Sequence, residues 1–285
     1  MQGRRRQPIT SGTVVVTGAA SGIGRALARR LSRLGAAVAI ADVDEAGLKE
    51  TDESLPGTSL ATVLDVRDAA AQLEFAGAVR ESLPGPITAV FNNAGVAVSS
   101  TVLEAVPEDD DWLWDINFRG VVNGVRAFLP ILVAQDSGAI VNTSSVFGLV
   151  GMPSQSAYCS AKFAVRGFTD SLRQELRGTG VRAINVHPGG VDTNIVRNGR
   201  LHGDPEGRGR TKEELARDFA AMTMTTPDRA AEIIHEGVER GRARILVGPD
   251  ARIFDTLARV APTRYYDVMA RLQPLAARRR GSGAR

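Results

Sequence analysis

The sequence is poor in cysteine: Cys159 is the only one among 285 residues. A single cysteine cannot form an intrachain disulfide, which fits a reducing compartment, and we predict a cytoplasmic location. No apolar run approaches the roughly 20 residues that a membrane-spanning helix needs. The N-terminal residues also lack the apolar core of a signal peptide. We therefore predict no integral membrane association.

The body of the chain also lacks an excess of basic residues. The formal net charge is +3, but seven arginines lie in two terminal segments that contain no acids: Arg4, Arg5, Arg6, Arg278, Arg279, Arg280 and Arg285. Removing these seven positive charges from +3 leaves the remainder at −4. A nucleic-acid-binding domain is expected to carry its basic excess on the folded surface. The sequence therefore argues against nucleic acid as a partner.

What the chain does contain is a regular alternation of short apolar runs with amphipathic segments. We predict strands over residues 13–16, 38–42, 60–65, 87–92, 139–143, 181–186 and 244–248. We predict helices after the first strand and over residues 44–54, 68–82, 109–135 with a kink or break at Pro130, 156–177, 211–223 and 227–240. This alternation indicates the α/β class, with a doubly wound parallel sheet covered by helices on both faces.

The predicted elements divide the chain into one domain and two flanking segments. The domain is expected over residues 12–249, after a mobile basic tail over 1–11. Residues 198–210 are rich in glycine and arginine, so a mobile substrate loop is predicted at about 194–211. Residues 250–285 are predicted as a helical extension with a basic tail, broken at Pro262 and Pro274. The extension could cover a pocket, contact an acidic membrane surface or join a subunit interface.

A glycine-rich stretch, Thr-Gly-Ala-Ala-Ser-Gly-Ile-Gly, lies between the first predicted strand and the first helix. Glycine allows the backbone to turn sharply and to approach a ligand closely. The start of the helix offers free N–H groups and a positive dipole end, which favour a phosphate. A glycine turn without a ligand is the alternative. The residues expected here at a bound dinucleotide are Gly18, Ser21, Gly22, Ile23 and Gly24.

Four further motifs follow the glycine turn in a fixed order and spacing. They are Asn92-Asn93-Ala94-Gly95, Asn117, Ser145 thirteen residues before Tyr158-Cys159-Ser160-Ala161-Lys162, and Pro188-Gly189-Gly190-Val191-Asp192-Thr193. Together with the glycine turn they resemble the short-chain dehydrogenase/reductase family in its ordinary NAD(P)-dependent subgroup, over about residues 12–248. Each motif alone is weak, but five in register are specific. The resemblance implies a single-domain Rossmann fold with strand order 3-2-1-4-5-6-7.

Tyr158 and Lys162 are four residues apart, so on a helix they share one face. A free tyrosine has a pKa of about 10, and a base working near pH 7 needs that pKa lowered by about 3 units. The Lys162 ammonium and an oxidised nicotinamide could both contribute to that lowering. Ser145 follows a strand end, where its hydroxyl could hold a substrate oxygen. Ser144 is the alternative, and the family spacing to the tyrosine favours Ser145.

The resemblance also implies roles for other residues. Asn117 would join a proton relay through water and Lys162, and Lys162 would hold the cofactor ribose. Thr193 would hold the nicotinamide carboxamide, and Ile23 would lie beside the pyrophosphate. The remaining residues expected around the cofactor are Asp65 and Val66 at the adenine, Asn92, Ala94 and Gly95 along its border, and Pro188, Gly189 and Val191 after the sixth predicted strand. No metal site is predicted.

Asp42 ends the second predicted strand, where the adenosine ribose of a dinucleotide would lie. A carboxylate accepts hydrogen bonds from a free 2′-hydroxyl and repels a 2′-phosphate. Neither Val43 nor Ser21 supplies a cation for that phosphate, so the sequence predicts NAD rather than NADP. The alternative is that Asp42 only caps the following helix.

These residues predict an oxidoreductase that interconverts a secondary alcohol and a ketone by hydride transfer to or from NAD. A non-catalytic NAD-sensing or scaffold protein is the alternative. An apolar pocket, and so a lipophilic substrate, is suggested by Val146, Phe147, Leu149, Met152 and Ile195. His187 is a second candidate base, although structural packing explains it as well. By resemblance we expect a homodimer or a homotetramer.

Overall fold

The computed structural model describes residues 7–202 and 211–268. The terminal arginines and the predicted break at Pro274 lie outside these residues. Within them, the strands are β1 Thr13–Thr17, β2 Ala37–Asp42, β3 Ser59–Val63, β4 Ile87–Asn92, β5 Val98–Ser99, β6 Gly138–Thr143, β7 Val181–Pro188, β8 Arg200–Leu201 and β9 Arg244–Val247. The helices are α1 Gly22–Arg33, α2 Glu45–Glu53, α3 Ala69–Ser82, α4 Pro107–Trp114, α5 Gly120–Gln135, α6 Ser156–Glu175, α7 Lys212–Met222, α8 Pro227–Glu239 and α9 Pro249–Val260.

Seven of the strands form one parallel sheet in the order β3-β2-β1-β4-β6-β7-β9. This is the predicted order once the short strands β5 and β8, which pair only with each other, are left out of the count. The order reverses between β1 and β4, where the carboxyl ends of the strands diverge and leave a crevice. Ligands of open α/β sheets bind in such a crevice.

The central strands β1, β2 and β4 are largely apolar because both faces of the sheet are covered. Alternate side chains of β1 point to opposite faces. Val14 and Val16 pack with α1 and α8, whereas Val15 packs with α3, α5 and α6. All three valines are buried. The near-continuous apolar strands of the sequence therefore reflect a sheet with two separate hydrophobic layers.

The long helix before β6 differs in detail from its prediction. It starts at Pro107 rather than at 109, and it continues through Pro130 to Gln135, so the predicted break is wrong. Proline has no backbone N–H, so the carbonyl of Arg126, four residues earlier, loses its helical hydrogen bond. Pro130 and Arg126 are both exposed, so this carbonyl faces water. The irregularity lies instead at Asp115–Arg119, which form a π-helical turn.

Among the described residues, the segment Pro107–Gln135 is the only one long and apolar enough to span a membrane by length and composition. Its apolar residues Val121, Val125, Phe128 and Leu132 are buried against the sheet. This packing is that of a core helix, and it explains the apolar composition without a membrane.

Two further predictions need correction or limits. Residues 198–210 were expected to form an irregular loop, but Arg200 and Leu201 form β8 beside β5. The reason is tertiary: Asp109 forms ion pairs with Arg200 and His202, and the Arg200 guanidinium lies 3.9 Å from the centre of the Trp112 ring. Residues 203–210 lie outside the described residues.

The predicted break at Pro262 is confirmed, since α9 ends at Val260 and helix resumes at Tyr265.

Candidate active site

The glycine turn joins β1 to α1 and forms a cradle that side chains would fill. Gly18 and Gly22 have φ values of +69° and +53°, which L residues rarely adopt. A Cβ on Gly24 would lie 2.1 Å from the Gly18 carbonyl oxygen. Ser21 precedes α1 without a side-chain cap, so the first N–H groups of the helix are free for a ligand. The turn therefore fits the pyrophosphate of a dinucleotide.

Thr193 lies against this turn, and its predicted contact with the nicotinamide carboxamide stays a prediction. A Cβ on Gly22 would be 3.1 Å from the Thr193 methyl carbon. The segment after β7 and the turn enclose a cavity of about 290 Å³ lined by Gly22, Asp192, Thr193, Asn194, Val196, Arg197, Ala216, Ala220 and Pro227. Two of the predicted cofactor-binding motifs, far apart in sequence, thus meet across one cavity.

Asp42 is fixed beside the glycine turn by backbone donors. The Ala20 N–H donates to its Oδ2 at 2.9 Å, and the Asp44 N–H donates to Oδ1 at 3.1 Å. The side chain that caps α2 is Asp44, which accepts from the Gly47 N–H, so the alternative that Asp42 is only the cap is wrong. A carboxylate has lone pairs beyond these two bonds, and Asp42 is partly exposed. It can still accept from a ribose diol.

The residues predicted at the adenine are in different environments. Val66 is buried, and Gly120 packs on it so closely that a Cβ would lie 2.7 Å from a Val66 methyl. Asp65 is held by the Arg67 guanidinium, with Nε donating at 2.9 Å and Nη2 at 2.6 Å to Oδ2. This charged hydrogen bond lowers the pKa of Asp65. Arg67 had no assigned role from the sequence, although its spacing of two from Asp65 was visible.

The Asn92–Gly95 motif approaches the glycine turn through Asn93 and Ala94. The Asn93 and Ala94 N–H groups donate to the Thr17 hydroxyl at 3.1 and 3.2 Å, and a Cβ on Gly18 would lie 2.7 Å from the Ala94 Cα. The Asn92 side chain is buried and donates to Asn142 at 2.8 Å. Asn92 is therefore a link between β4 and β6, and its place at the cofactor border stays a prediction.

Ser145, Tyr158 and Lys162 converge at the carboxyl end of β6. Burial raises the pKa of Tyr158 to about 12 and outweighs the lowering effect of the Ser145 hydroxyl. Desolvation disfavours the phenolate in the protein alone, and the lowered pKa expected beside Lys162 and an oxidised nicotinamide stays a prediction. The Ser144 hydroxyl donates to the Lys162 carbonyl at 2.8 Å and is buried. This arrangement favours Ser145 as the substrate-facing serine.

Lys162 is almost fully buried, with 3% of its surface exposed. Its Nζ donates to the Thr143 carbonyl at 3.1 Å and lies 5.7 Å from the centre of the Tyr158 ring. Burial lowers the pKa of Lys162 to about 8. An ammonium has three N–H donors. The two that Thr143 does not use are available for a pair of ribose hydroxyls.

Asn117 lies inside the π-helical turn and is fully buried. Its side chain is occupied by Val96: Oδ1 accepts from the Val96 N–H and Nδ2 donates to the Val96 carbonyl, both at 2.9 Å. Gly95 separates it from Lys162, since a Cβ there would lie 3.0 Å from Asn117 Oδ1 and 3.4 Å from Lys162 Nζ. Asn117 and Lys162 are thus neighbours. Because the Asn117 side chain is occupied by Val96, its part in a proton relay stays a prediction.

His187 is fully buried in β7, and its Nδ1 lies 3.0 Å from the Ser145 carbonyl oxygen. Burial lowers the pKa of His187 to about 4, so the ring is neutral near pH 7 and Nδ1–H is the donor. The packing interpretation of His187 is therefore the better one. The ring supports the backbone of Ser145.

Asp250, at the start of α9, is a residue that the sequence did not single out. The Gly190 N–H donates to its Oδ2 at 2.6 Å, and a Cβ on Gly189 would lie 2.1 Å from the same oxygen. The close approach of this carboxylate therefore requires a glycine at position 189. The only signal in the sequence was Pro249 followed by Asp250 after a predicted strand, an order that is typical of the start of a helix.

Comparisons with known proteins agree with this geometry. A family model described as short chain dehydrogenase matches residues 12–202. A Mycobacterium tuberculosis protein described as an oxidoreductase, SadH, is 42% identical over 262 residues, which are 90% of this chain and 93% of that protein. A solved short chain dehydrogenase/reductase from Burkholderia phymatum in complex with NAD is 29% identical, covers 91% of this chain and 95% of its own, and has a TM-score of 0.80.

A second solved structure, the closed form of a serine dehydrogenase complexed with NADP+, is 30% identical, covers 77% of this chain and 86% of its own, and has a TM-score of 0.68. The fold and the site define a nucleotide-binding α/β oxidoreductase. The chain belongs to the short-chain dehydrogenase family, whose members bind a nicotinamide cofactor.

Proposed function

We propose that this protein interconverts a secondary alcohol and a ketone with NAD as the hydride carrier. The observation that carries the proposal is the convergence of Ser145, Tyr158 and Lys162. The Phe147 ring packs against Tyr158 at 6.1 Å between ring centres, the Phe147 N–H donates to the Ser145 hydroxyl at 3.1 Å, and Lys162 Nζ lies 5.7 Å from the centre of the Tyr158 ring. This arrangement can hold one substrate oxygen between two hydroxyl groups. A non-catalytic NAD-binding protein has no need for such a pair.

In the proposed reaction Ser145 holds the alcohol oxygen and Tyr158 accepts its proton. A bound nicotinamide would supply the hydride acceptor and a positive charge that favours the phenolate. Lys162 holds the ribose through its two remaining N–H donors, and its own positive charge lies one helical turn from the phenol. In the reverse direction Tyr158 returns the proton to the ketone oxygen while the carbonyl carbon gains the hydride.

The proposal is tested by a screen of secondary alcohols with NAD and NADP and of ketones with the reduced cofactors, followed at the nicotinamide absorbance. We propose a lipophilic substrate, because Phe147 packs edge-on against Tyr158 at 6.1 Å between ring centres and Met152, five residues further along the chain, is only partly buried. Steroid, terpenoid or fatty alcohols should therefore react faster than small polar ketols. Equal rates on both classes would contradict this. The absence of any turnover, with NAD still bound, would favour the sensing alternative.

Replacing Asp42 by Ala is expected to shift the ratio of kcat/KM for NAD over NADP toward NADP by roughly 100-fold. A carboxylate about 4 Å from a 2′-phosphate charge repels it by about 4 kcal/mol at an effective dielectric of 20, and salt reduces this. Glu45→Ala is the matched control, because Glu45 is an exposed acid three residues away and has no contact with the turn. A wild-type enzyme that prefers NADP would refute the assignment.

We further propose a cytoplasmic homodimer or homotetramer. The support is an exposed apolar side chain on each of the two long helices, Val133 at 45% and Phe163 at 40%. Light scattering on the purified protein would measure the assembly state, and a monomer would contradict the proposal.

A further inference from the structure

The C-terminal extension contacts the substrate side of the site through one hydroxyl group. The Gly151 N–H donates to the Tyr265 hydroxyl oxygen at 2.8 Å, and the same hydroxyl donates to the Gly151 carbonyl at 3.2 Å. One side chain therefore satisfies both polar groups of one backbone residue that is 114 positions away. A Cβ on Gly151 would lie 3.2 Å from this hydroxyl, so glycine permits the close approach.

Gly151 lies in the segment 146–155, which connects Ser145 to the helix that bears Tyr158. The first part of this segment is a short 3-10 turn, Val146–Gly148, whose N-terminal residue is Ser145. The last part is bound to β5, since the Ser100 N–H donates to the Ser154 carbonyl at 3.1 Å. Tyr265 bonds the segment between these two attachments, one residue from Met152.

We propose that Tyr265 is a positioning residue that fixes the segment 146–155 and thereby sets the size of the alcohol that the site accepts. This inference rests on the proposed function. Phe147 and Met152 lie on the segment, and the Phe147 ring packs edge-on against Tyr158 at 6.1 Å between ring centres. Because buried or half-buried backbone groups need partners, removal of the hydroxyl allows the segment to move. The extension would then act on specificity through the segment rather than by touching the cofactor.

The test compares Tyr265→Phe with Tyr266→Phe in the full-length protein. Tyr266 is the adjacent tyrosine and is 46% exposed, so its variant makes the same chemical change without the contact. For Tyr265→Phe we expect KM for a bulky apolar alcohol to rise about tenfold. This factor corresponds to the free energy that the two lost hydrogen bonds contribute. The KM for NAD and the value of kcat should stay within about twofold of wild type. Hydrogen exchange, read by mass spectrometry on peptides covering 146–155, should become about tenfold faster.

Unchanged exchange over 146–155 together with unchanged KM for the alcohol would overturn the proposal. An equal rise of the KM values for NAD and alcohol would also overturn it, because the hydroxyl would then support the fold as a whole. If the wild-type protein oxidises no alcohol, the proposed function fails. In that case exchange alone decides the positioning role: faster exchange over 146–155 in Tyr265→Phe, but not in Tyr266→Phe, supports it.

Discussion

Replacing Tyr158 by Phe is expected to lower kcat for alcohol oxidation by about 1,000-fold. The substitution removes one oxygen atom and keeps the ring, which packs edge-on against Phe147. The alcohol proton then has no acceptor within reach of Ser145, because His187 is directed to a backbone carbonyl and is too weak a base. The measurement is the rate of nicotinamide reduction at saturating NAD and alcohol.

The control for Tyr158→Phe is again Tyr266→Phe, which should retain full activity because that side chain is 46% exposed. Binding of NAD to Tyr158→Phe, followed by calorimetry, should be within about threefold of wild type. A variant with normal NAD binding and undiminished turnover would refute the proposed mechanism. A variant that loses NAD binding to the same extent as turnover would show a role in holding the cofactor rather than in proton transfer.

The raised pKa of Tyr158 gives this prediction a pH signature. In the protein alone, burial keeps the phenol protonated, with a pKa of about 12. Alcohol oxidation requires the phenolate, so its rate should rise with pH until the phenol of the loaded enzyme is ionised. Ketone reduction requires the protonated phenol and should fall over the same range. Opposite pH trends for the two directions are therefore expected for one titrating group.

The sequence was sufficient for the sheet and for the motifs that meet at its carboxyl edge. The apolar runs are local, so the strands could be predicted from the sequence. Their order in the sheet followed from the alternation with helices and from the family resemblance. Spacing within one element identifies the glycine turn and the pair of Tyr158 and Lys162. Distance from the end of a strand identifies Ser145. Convergence of these residues follows from the topology alone, because parallel strands place their carboxyl ends on one edge.

The features that the sequence missed depend on contacts between distant residues. Asp250 and Tyr265 act on Gly190 and Gly151 across 60 and 114 positions, and neither pair has a local signature. The π-helical turn at Asn117 has no composition that separates it from ordinary helix. The raised pKa of Tyr158 in the protein alone was also missed, because spacing reveals the neighbouring charge but not the depth of burial.

Replacing Lys162 by Met is expected to give a more stable but far less active protein. Burial lowers the pKa of Lys162 to about 8 from an ordinary value of 10.5, so near pH 7 the folded chain holds a poorly solvated ammonium. A shift of this size corresponds to about 3 kcal/mol. Met has a similar length and no charge, so the free energy of unfolding at pH 7 should rise by up to about that amount. Activity should fall by at least about 100-fold, because the variant lacks the ribose donors and the positive charge beside Tyr158.

The pH dependence of stability distinguishes this explanation from a simple packing effect. Below pH 8 both the folded and the unfolded chain are protonated at Lys162, and the penalty is constant. From pH 8 to 10.5 the unfolded chain binds more protons than the folded chain, so wild-type stability rises with pH. Urea unfolding should therefore show wild type gaining about 2 kcal/mol relative to Lys162→Met between pH 7 and 10. Above pH 10 the raised pKa of Tyr158 acts in the opposite direction, and the comparison should stop there.

Lys49→Met is the matched control, because the Lys49 side chain is 76% exposed and forms only a long ion pair with Glu53. Its stability should stay within about 0.5 kcal/mol of wild type, and its pH dependence should be that of wild type. The explanation would be contradicted by a Lys162→Met protein that is less stable than wild type at pH 7 and whose curve of stability against pH is parallel to that of wild type. The poorly solvated ammonium of Lys162 would then not be what destabilises the wild-type protein. With the expected result, the group proposed to hold the ribose is also a group that destabilises the free protein. Binding of NAD should then recover part of that loss in wild type and less in the variant, a difference that thermal unfolding with and without NAD would measure.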